Sequence, residues 1–189
     1  GGTMINLMHG DCLELMKDMP DGSVDLTVTS PPYDNLRTYN GNNAQWGEHV
    51  WKSVIADLYR ITKDGGVVVW VVADATIKGS ETGTSFKQAL WAMECGFNLH
   101  DTMIYEKNKA HVFDPRQQRY KNTAEFMFVF SRGKPRVFNP IMDLPVKGAG
   151  NIRTVSQRLP NGRIRNGRTV MLGDWQARGS VWIYDGGMG

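Results

Sequence analysis

Val24-Asp25-Leu26-Thr27-Val28-Thr29-Ser30-Pro31-Pro32-Tyr33 is the stretch from which the fold is read. Its first half is apolar and β-branched, the composition of a buried strand, and the turn-rich segment 34–47 follows. Ser30-Pro31-Pro32-Tyr33 therefore sits where a strand ends, the place at which open α/β sheets bind their ligands. The two prolines hold φ near about −65° and push Ser30 and Pro31 out of the α region. The loop is set before any ligand arrives.

Upstream, Ile5 to Met8 reads as a short strand, His9-Gly10-Asp11-Cys12 as a turn, and Leu13, Met16 and Met19 as one face of a helix that Pro20-Asp21-Gly22 stops. Asp11 is either the cap of that helix or a ligand contact. Downstream, the polar loop 34–43 has almost nothing to bury, which marks it as functional or mobile. Val50, Trp51, Val54, Ile55, Leu58 and Ile61 then recur at helical spacing over 47–62, and Lys63-Asp64-Gly65-Gly66 ends that helix. The run 67–73 is apolar throughout, as a central parallel strand is. A second crossing helix is expected over 84–94 with Phe86, Leu90 and Met93 inward, and strands over 97–105 and 124–130.

Between those strands, 106–123 carries Lys107, Lys109, Arg116, Arg119 and Lys121 with Phe113 and Tyr120 among them. It is either a solvated connection or a surface where cations meet phosphates and rings offer stacking. From Lys134 onward the α/β alternation fails. The stretch 145–173 is dense in Gly, Asn and Arg, with Arg153, Arg158, Arg163, Arg165 and Arg168 among few large apolar residues. Asn161-Gly162 and Asn166-Gly167 are each compatible with a tight turn between short strands.

A chain of 189 residues, 41% hydrophobic, buries the core of one domain. No apolar run is long enough to span a bilayer and residues 1–20 lack a secretion signal, so a soluble, cytoplasmic protein is expected. Cys12 and Cys95 lie far apart without metal-ligand spacing, and neither a disulfide framework nor a metal site is expected. Gly1-Gly2-Thr3 reads as a cloning scar before a native Met4. The net charge of +3 hides a division: residues 1–106 sum to −7 and residues 107–180 to +11. A basic half of this kind suits a polyanionic partner, nucleic acid first, or is simply a solvated face.

Gly10-Asp11-Cys12, the strand at 24–29, Ser30-Pro31-Pro32-Tyr33, the later Asp64-Gly65-Gly66 before an apolar strand, and Glu125-Phe126-Met127-Phe128-Val129-Phe130 together resemble the DNA methyltransferases that methylate exocyclic amines with S-adenosylmethionine. The catalytic motif precedes the basic segment, which resembles the β arrangement of that family. The resemblance implies an α/β, Rossmann-like methyltransferase fold, a three-layer sandwich with a basic, irregular target-recognition region. It divides the sequence into a catalytic α/β region (4–133, with a basic DNA-contacting insertion at 107–123), a target-recognition region (134–180) and the start of a cofactor-binding part (181–189). The family's Phe-x-Gly-x-Gly motif does not occur before Gly189, so the fold is expected to be incomplete and the protein truncated at its C-terminus.

The resemblance also assigns roles. Ser30, Pro31, Pro32 and Tyr33 are the catalytic residues: the Ser30 hydroxyl and Pro31 carbonyl accept the two amine hydrogens while Tyr33 stacks on a base flipped from duplex DNA. Gly10, Asp11 and Cys12 hold the cofactor's adenine end. Asn35, Arg37 and Tyr39 border the flipped base, and Lys107, Lys109, Arg116, Arg119, Arg153, Arg163, Arg165 and Arg168 meet DNA. Serine at the first motif position favours N4 of cytosine, with N6 of adenine as the alternative. An inactive nucleic-acid-binding fragment and an RNA methyltransferase are the other readings, and a homodimer is compatible with all of them. A bacterial or phage source is expected.

Overall fold

The computed structural model describes residues 4–33, 46–107, 116, 118–165 and 167–184. These fall into two compact units, one made of Gly1–Phe138 with Ser180–Gly189 and the other of Asn139–Gly179.

The first unit is built on a five-stranded sheet of β1 (Val24–Thr29), β2 (Thr62–Val72), β5 (Asn98–Lys107), β6 (Ala124–Ser131) and β13 (Val181–Tyr184) in the order β1-β2-β6-β5-β13. Strands β1 and β2 are parallel, as are β5 and β13, and β6 runs antiparallel to both its neighbours. Four strands thus point one way. Their carboxyl ends form one rim, where β6 begins, and Ser30 to Tyr33 leaves β1 there. The sheet confirms the Rossmann-like α/β expectation.

Helices α1 (Cys12–Lys17), α2 (Glu48–Ile61) and α3 (Thr84–Glu94) contribute to a single core with one sheet face. Val68, Trp70 and Val72 of β2 and Phe128 and Phe130 of β6 point into it, against Trp51, Ile55 and Leu58 of α2. The period-2 burial of β2 follows: alternate residues are sealed and the intervening valines half-buried. Of the three expected layers, the described residues supply sheet and one helical layer. On the other face, Leu26 and Val28 are 59% and 66% exposed. Ile5 to Met8, expected as a strand, has no strand pairing, and Met4, Ile5 and Leu7 are exposed.

Helix α3 forms where expected but turns a different face inward. Phe86, Leu90 and Met93 are exposed, whereas Ser85, Gln88, Ala89 and Ala92 are buried. Small side chains let the helix lie close to the sheet, and Gln88 is tolerated because its Oε1 accepts from the Trp70 indole N–H at 2.9 Å. Helix α2 ends at Ile61 as expected, and the glycines after it shape a bulge rather than a free turn. Val24 pairs with Thr62 and Leu26 already with Val67, so 63–66 stand opposite Asp25 alone. A Cβ on Gly66 would lie 2.8 Å from Thr62 Cγ2 and 2.9 Å from the Lys63 carbonyl, which is why glycine stands there.

The rim at the amino ends of the strands is tied by guanidinium groups. Arg60 donates to the Met16 and Met19 carbonyls at 2.7 and 2.9 Å, and Arg132 to those of Tyr59, Arg60 and Thr62 at 3.2, 3.3 and 3.0 Å. These carbonyls end α1 and α2, where cations also complement the helix dipole.

The second unit is a ladder of antiparallel pairs nested within one another: β7 (Met142–Pro145) with β12 (Trp175–Ala177), β8 (Ile152–Thr154) with β11 (Thr169–Met171), and β9 (Gln157–Arg158) with β10 (Ile164–Arg165). It is one long, interrupted hairpin whose turn includes Asn161-Gly162, with Gly162 at φ 80. That turn was expected; Asn166 lies outside the described residues. The arm has almost no interior, with Ile152 71%, Ile164 63% and Met171 74% exposed.

Candidate active site

Strand β1 delivers Ser30 to the rim, where Pro31 is buried and Tyr33 half-buried against the core. The Ser30 hydroxyl donates to the Tyr33 hydroxyl at 2.9 Å, and that hydroxyl donates to Glu125 Oε2 at 3.0 Å. Glu125 Oε1 is ion-paired with Lys107 Nζ. Residues 92 positions apart are thereby joined: strand β6 begins, and β5 ends, at the rim on which β1 ends. Only 12% of the Glu125 side chain is exposed, against 38% for Lys107, so the carboxylate sits where its bonds are least screened.

The series of bonds has a direction. A hydroxyl that gives its single proton to Tyr33 keeps both lone pairs for an incoming donor. Ser30 is thereby presented as an acceptor, which binding an N–H group requires. Tyr33, expected as a stacking surface, is engaged through its hydroxyl, which links Ser30 to Glu125. Lys107, expected on phosphate, is held by Glu125. Sequence reading gave Glu125 no role because it lies in an apolar strand; in the β5–β6 ladder it stands opposite Tyr105 and diagonal to Lys107.

Asp11 caps α1: its Oδ1 accepts from the Leu13 N–H at 2.8 Å. The carboxylate is exposed and Oδ2 is left to accept from a second donor. Desolvation and then the Asp11 carboxylate push the Cys12 thiol above its ordinary value, which disfavours the thiolate. The C-terminal end of α1 is tied at the opposite rim by Arg60.

Of the residues expected on DNA, Asn35, Arg37, Tyr39 and Lys109 lie outside the described residues. Arg116 is exposed, and Arg119 donates to the Gly79 carbonyl. Arg153, Arg163, Arg165 and Arg168 are all exposed on the β arm, which carries no carboxylate over 146–173. Among the described residues no group of His, Cys, Asp and Glu could hold a metal ion, and no helix is long and apolar enough to cross a membrane.

Residues 24–170 match the N6_N4_Mtase family of DNA methylases. The protein belongs to that family. A relative at 44% identity over 171 residues is the orphan methyltransferase M.BamHII of Bacillus amyloliquefaciens, matched over 89% of this chain and 62% of its own length. Among solved structures, the cytosine-N4-specific PvuII DNA methyltransferase superposes with a TM-score of 0.60 at 17% identity, covering 95% of this chain and 57% of that one. The putative DNA modification methylase TTHA0409 of Thermus thermophilus, complexed with S-adenosyl-L-methionine, gives 0.51 at 20% identity over 71% of this chain and 55% of its own. The chain thus spans about three fifths of the length of the M.BamHII relative.

Proposed function

We propose that this DNA methylase transfers a methyl group from S-adenosylmethionine to N4 of cytosine in DNA, with the target base flipped out of the duplex. The observation that carries the reading is the hydrogen-bond direction from Ser30 through Tyr33 to Glu125. An exocyclic amine is a poor nucleophile because its lone pair is delocalised into the ring. Accepting its hydrogens in fixed hydrogen bonds restores electron density at nitrogen as the new bond forms. Ser30 Oγ accepts one, and the Pro31 carbonyl, rigid in its Pro-Pro turn, accepts the other. Because both acceptors are fixed beforehand, little is spent on ordering them.

S-adenosylmethionine, when bound, supplies an electrophilic sulfonium methyl. The residues of this protein that suit it are Gly10, Asp11 and Cys12, since Asp11 Oδ2 can accept from an adenine amine while Oδ1 keeps its capping bond. Serine as the first motif residue supports cytosine over adenine. The arginines of the arm, without nearby carboxylates, support a polyanionic substrate.

The test is incubation with S-adenosylmethionine and duplex DNA, digestion to nucleosides and mass spectrometry. N4-methylcytosine is expected from the wild type, and a loss of about a hundredfold or more from Ser30→Ala. N6-methyladenine instead would overturn the assigned base, and an undiminished rate in Ser30→Ala would overturn the role of Ser30.

A further inference from the structure

A short hairpin leaves the catalytic rim directly from β2. Strands β3 (Thr76–Ile77) and β4 (Ser80–Glu81) pair antiparallel through Thr76↔Glu81 and Ile77↔Ser80, with Lys78 and Gly79 as the turn. Both turn residues have positive φ, 50 and 80, the geometry of a tight two-residue hairpin. Asparagine or glycine suits the first of these positions, and lysine occupies it at an energetic cost. A strained residue at an exposed tip invites a functional account.

The hairpin is held at both ends. At its base, the Thr82 N–H donates to the Ala75 carbonyl at 2.9 Å, and Asp74 Oδ1 accepts from the Ser85 N–H and the Thr82 hydroxyl at 2.9 and 3.2 Å. At its tip, the Arg119 guanidinium donates to the Gly79 carbonyl. That bond joins the hairpin to the segment entering β6, where Tyr120 is fully exposed between Arg119 and Lys121. Since Thr29 pairs with Trp70 in parallel, the hairpin emerges from the same rim as Ser30.

The cations around the hairpin differ from Lys107, which Glu125 holds, and from most of those at the opposite rim. At the opposite rim a cavity of about 680 Å³ is lined by Arg60, Lys63, Arg132 and Arg136, and the first three are ion-paired: Arg60 with Asp21 and Asp57, Lys63 with Asp25, and Arg132 with Asp64. Those charges hold the fold together. At the catalytic rim, no carboxylate among the described residues pairs with Lys78, Arg119 or Lys121. Unneutralised cations on a braced projection suit a regularly spaced polyanion.

We propose that the β3–β4 hairpin is a contact for the phosphate backbone of duplex DNA, with Lys78 touching phosphate and Arg119 positioning the tip. The proposal rests on DNA being the substrate, and it adds a contact that neither the arm nor the Ser30 loop provides. Fluorescence anisotropy of a labelled duplex, titrated with the 189-residue protein over a range of salt, tests it. Lys78→Asn keeps a residue that tolerates positive φ and removes only the charge. It should weaken binding about three- to tenfold on every duplex and reduce the slope of log affinity against log salt by about 0.9, the share of one phosphate. Lys78→Arg should restore both, and Lys63→Gln, at the opposite rim, should leave both unchanged.

A Lys78→Asn slope equal to wild type, an equal effect of Lys63→Gln, or no salt-dependent binding by the wild type would each overturn the proposal. The methyltransfer reading is scored separately, by methylated nucleoside. An unchanged slope with product formed sinks the hairpin alone, and a reduced slope without product sinks the chemistry alone.

Discussion

Replacing Glu125 with glutamine removes a charge and leaves the side chain's shape nearly intact. In the wild type, Glu125 accepts from Tyr33 at 3.0 Å, and Tyr33 accepts from Ser30 at 2.9 Å. Glutamine can still accept from Tyr33, but a bond to a neutral acceptor is roughly half as strong as one to a carboxylate. The Tyr33 hydroxyl is then held less firmly, and the Ser30 proton is less firmly directed away from the substrate. A hydroxyl released into three staggered wells spends about a third of its time in the useful one, a loss of about threefold. The weakened relay adds a similar factor, giving a fall in kcat of about tenfold, or about 1.4 kcal/mol. Lys107 is 38% exposed and finds water when its partner is lost, so the stability cost is about 1 kcal/mol, a fall in Tm of about 2–4 °C. Steady-state transfer of tritiated methyl groups to duplex DNA measures the rate. KM for DNA should hold while kcat falls, because the hydroxyl direction matters as the new bond forms. A kcat within twofold of wild type would refute the relay.

Gln88→Leu deprives the buried Trp70 indole of its acceptor and should cost about 1–3 kcal/mol, read as a Tm about 5 °C lower by calorimetry. Asp143 is held below its ordinary value of 3.8, first by its hydrogen bond from Arg178. A lowered folded-state pKa contributes stability that is present above 3.8 and lost as pH falls through the folded value. Amide exchange at the base of the β arm, near Arg178, should therefore quicken below about pH 4 relative to its intrinsic rate and show no such change between pH 5 and 7.

Local periodicity made much of the first unit legible. The helical spacing of Trp51 to Ile61 gave its helix as expected, and the apolar run gave a central strand, which starts earlier, at Thr62, and is parallel to β1 but antiparallel to β6. The inner face of α3 was misread because hydrophobicity ranks Phe86 above Ala89, whereas close packing on a sheet selects the smaller residue. Ile5 to Met8 has strand composition, but a strand needs a neighbour, and the described residues provide none. Ser30 and Tyr33 could be picked out from their motif. Glu125 could not, since a relay 92 residues away depends on which strands become neighbours. The arginine-rich arm was legible as irregular and basic. Its nested register was not, because short pairs with few buried side chains leave little hydrophobic pattern to read.

The β arm begins and ends side by side: the Arg178 N–H donates to the Ile141 carbonyl, and the Arg178 guanidinium grips Asp143 across the first rungs. A segment closed in this way behaves as a cassette. Its backbone ladder constrains register but few side chains, so residues between those closing bonds can be exchanged with little energetic penalty to the arm itself. Libraries built over 147–173, keeping Asp143 and Arg178 fixed, should therefore retain the closing bonds and the stability of the arm.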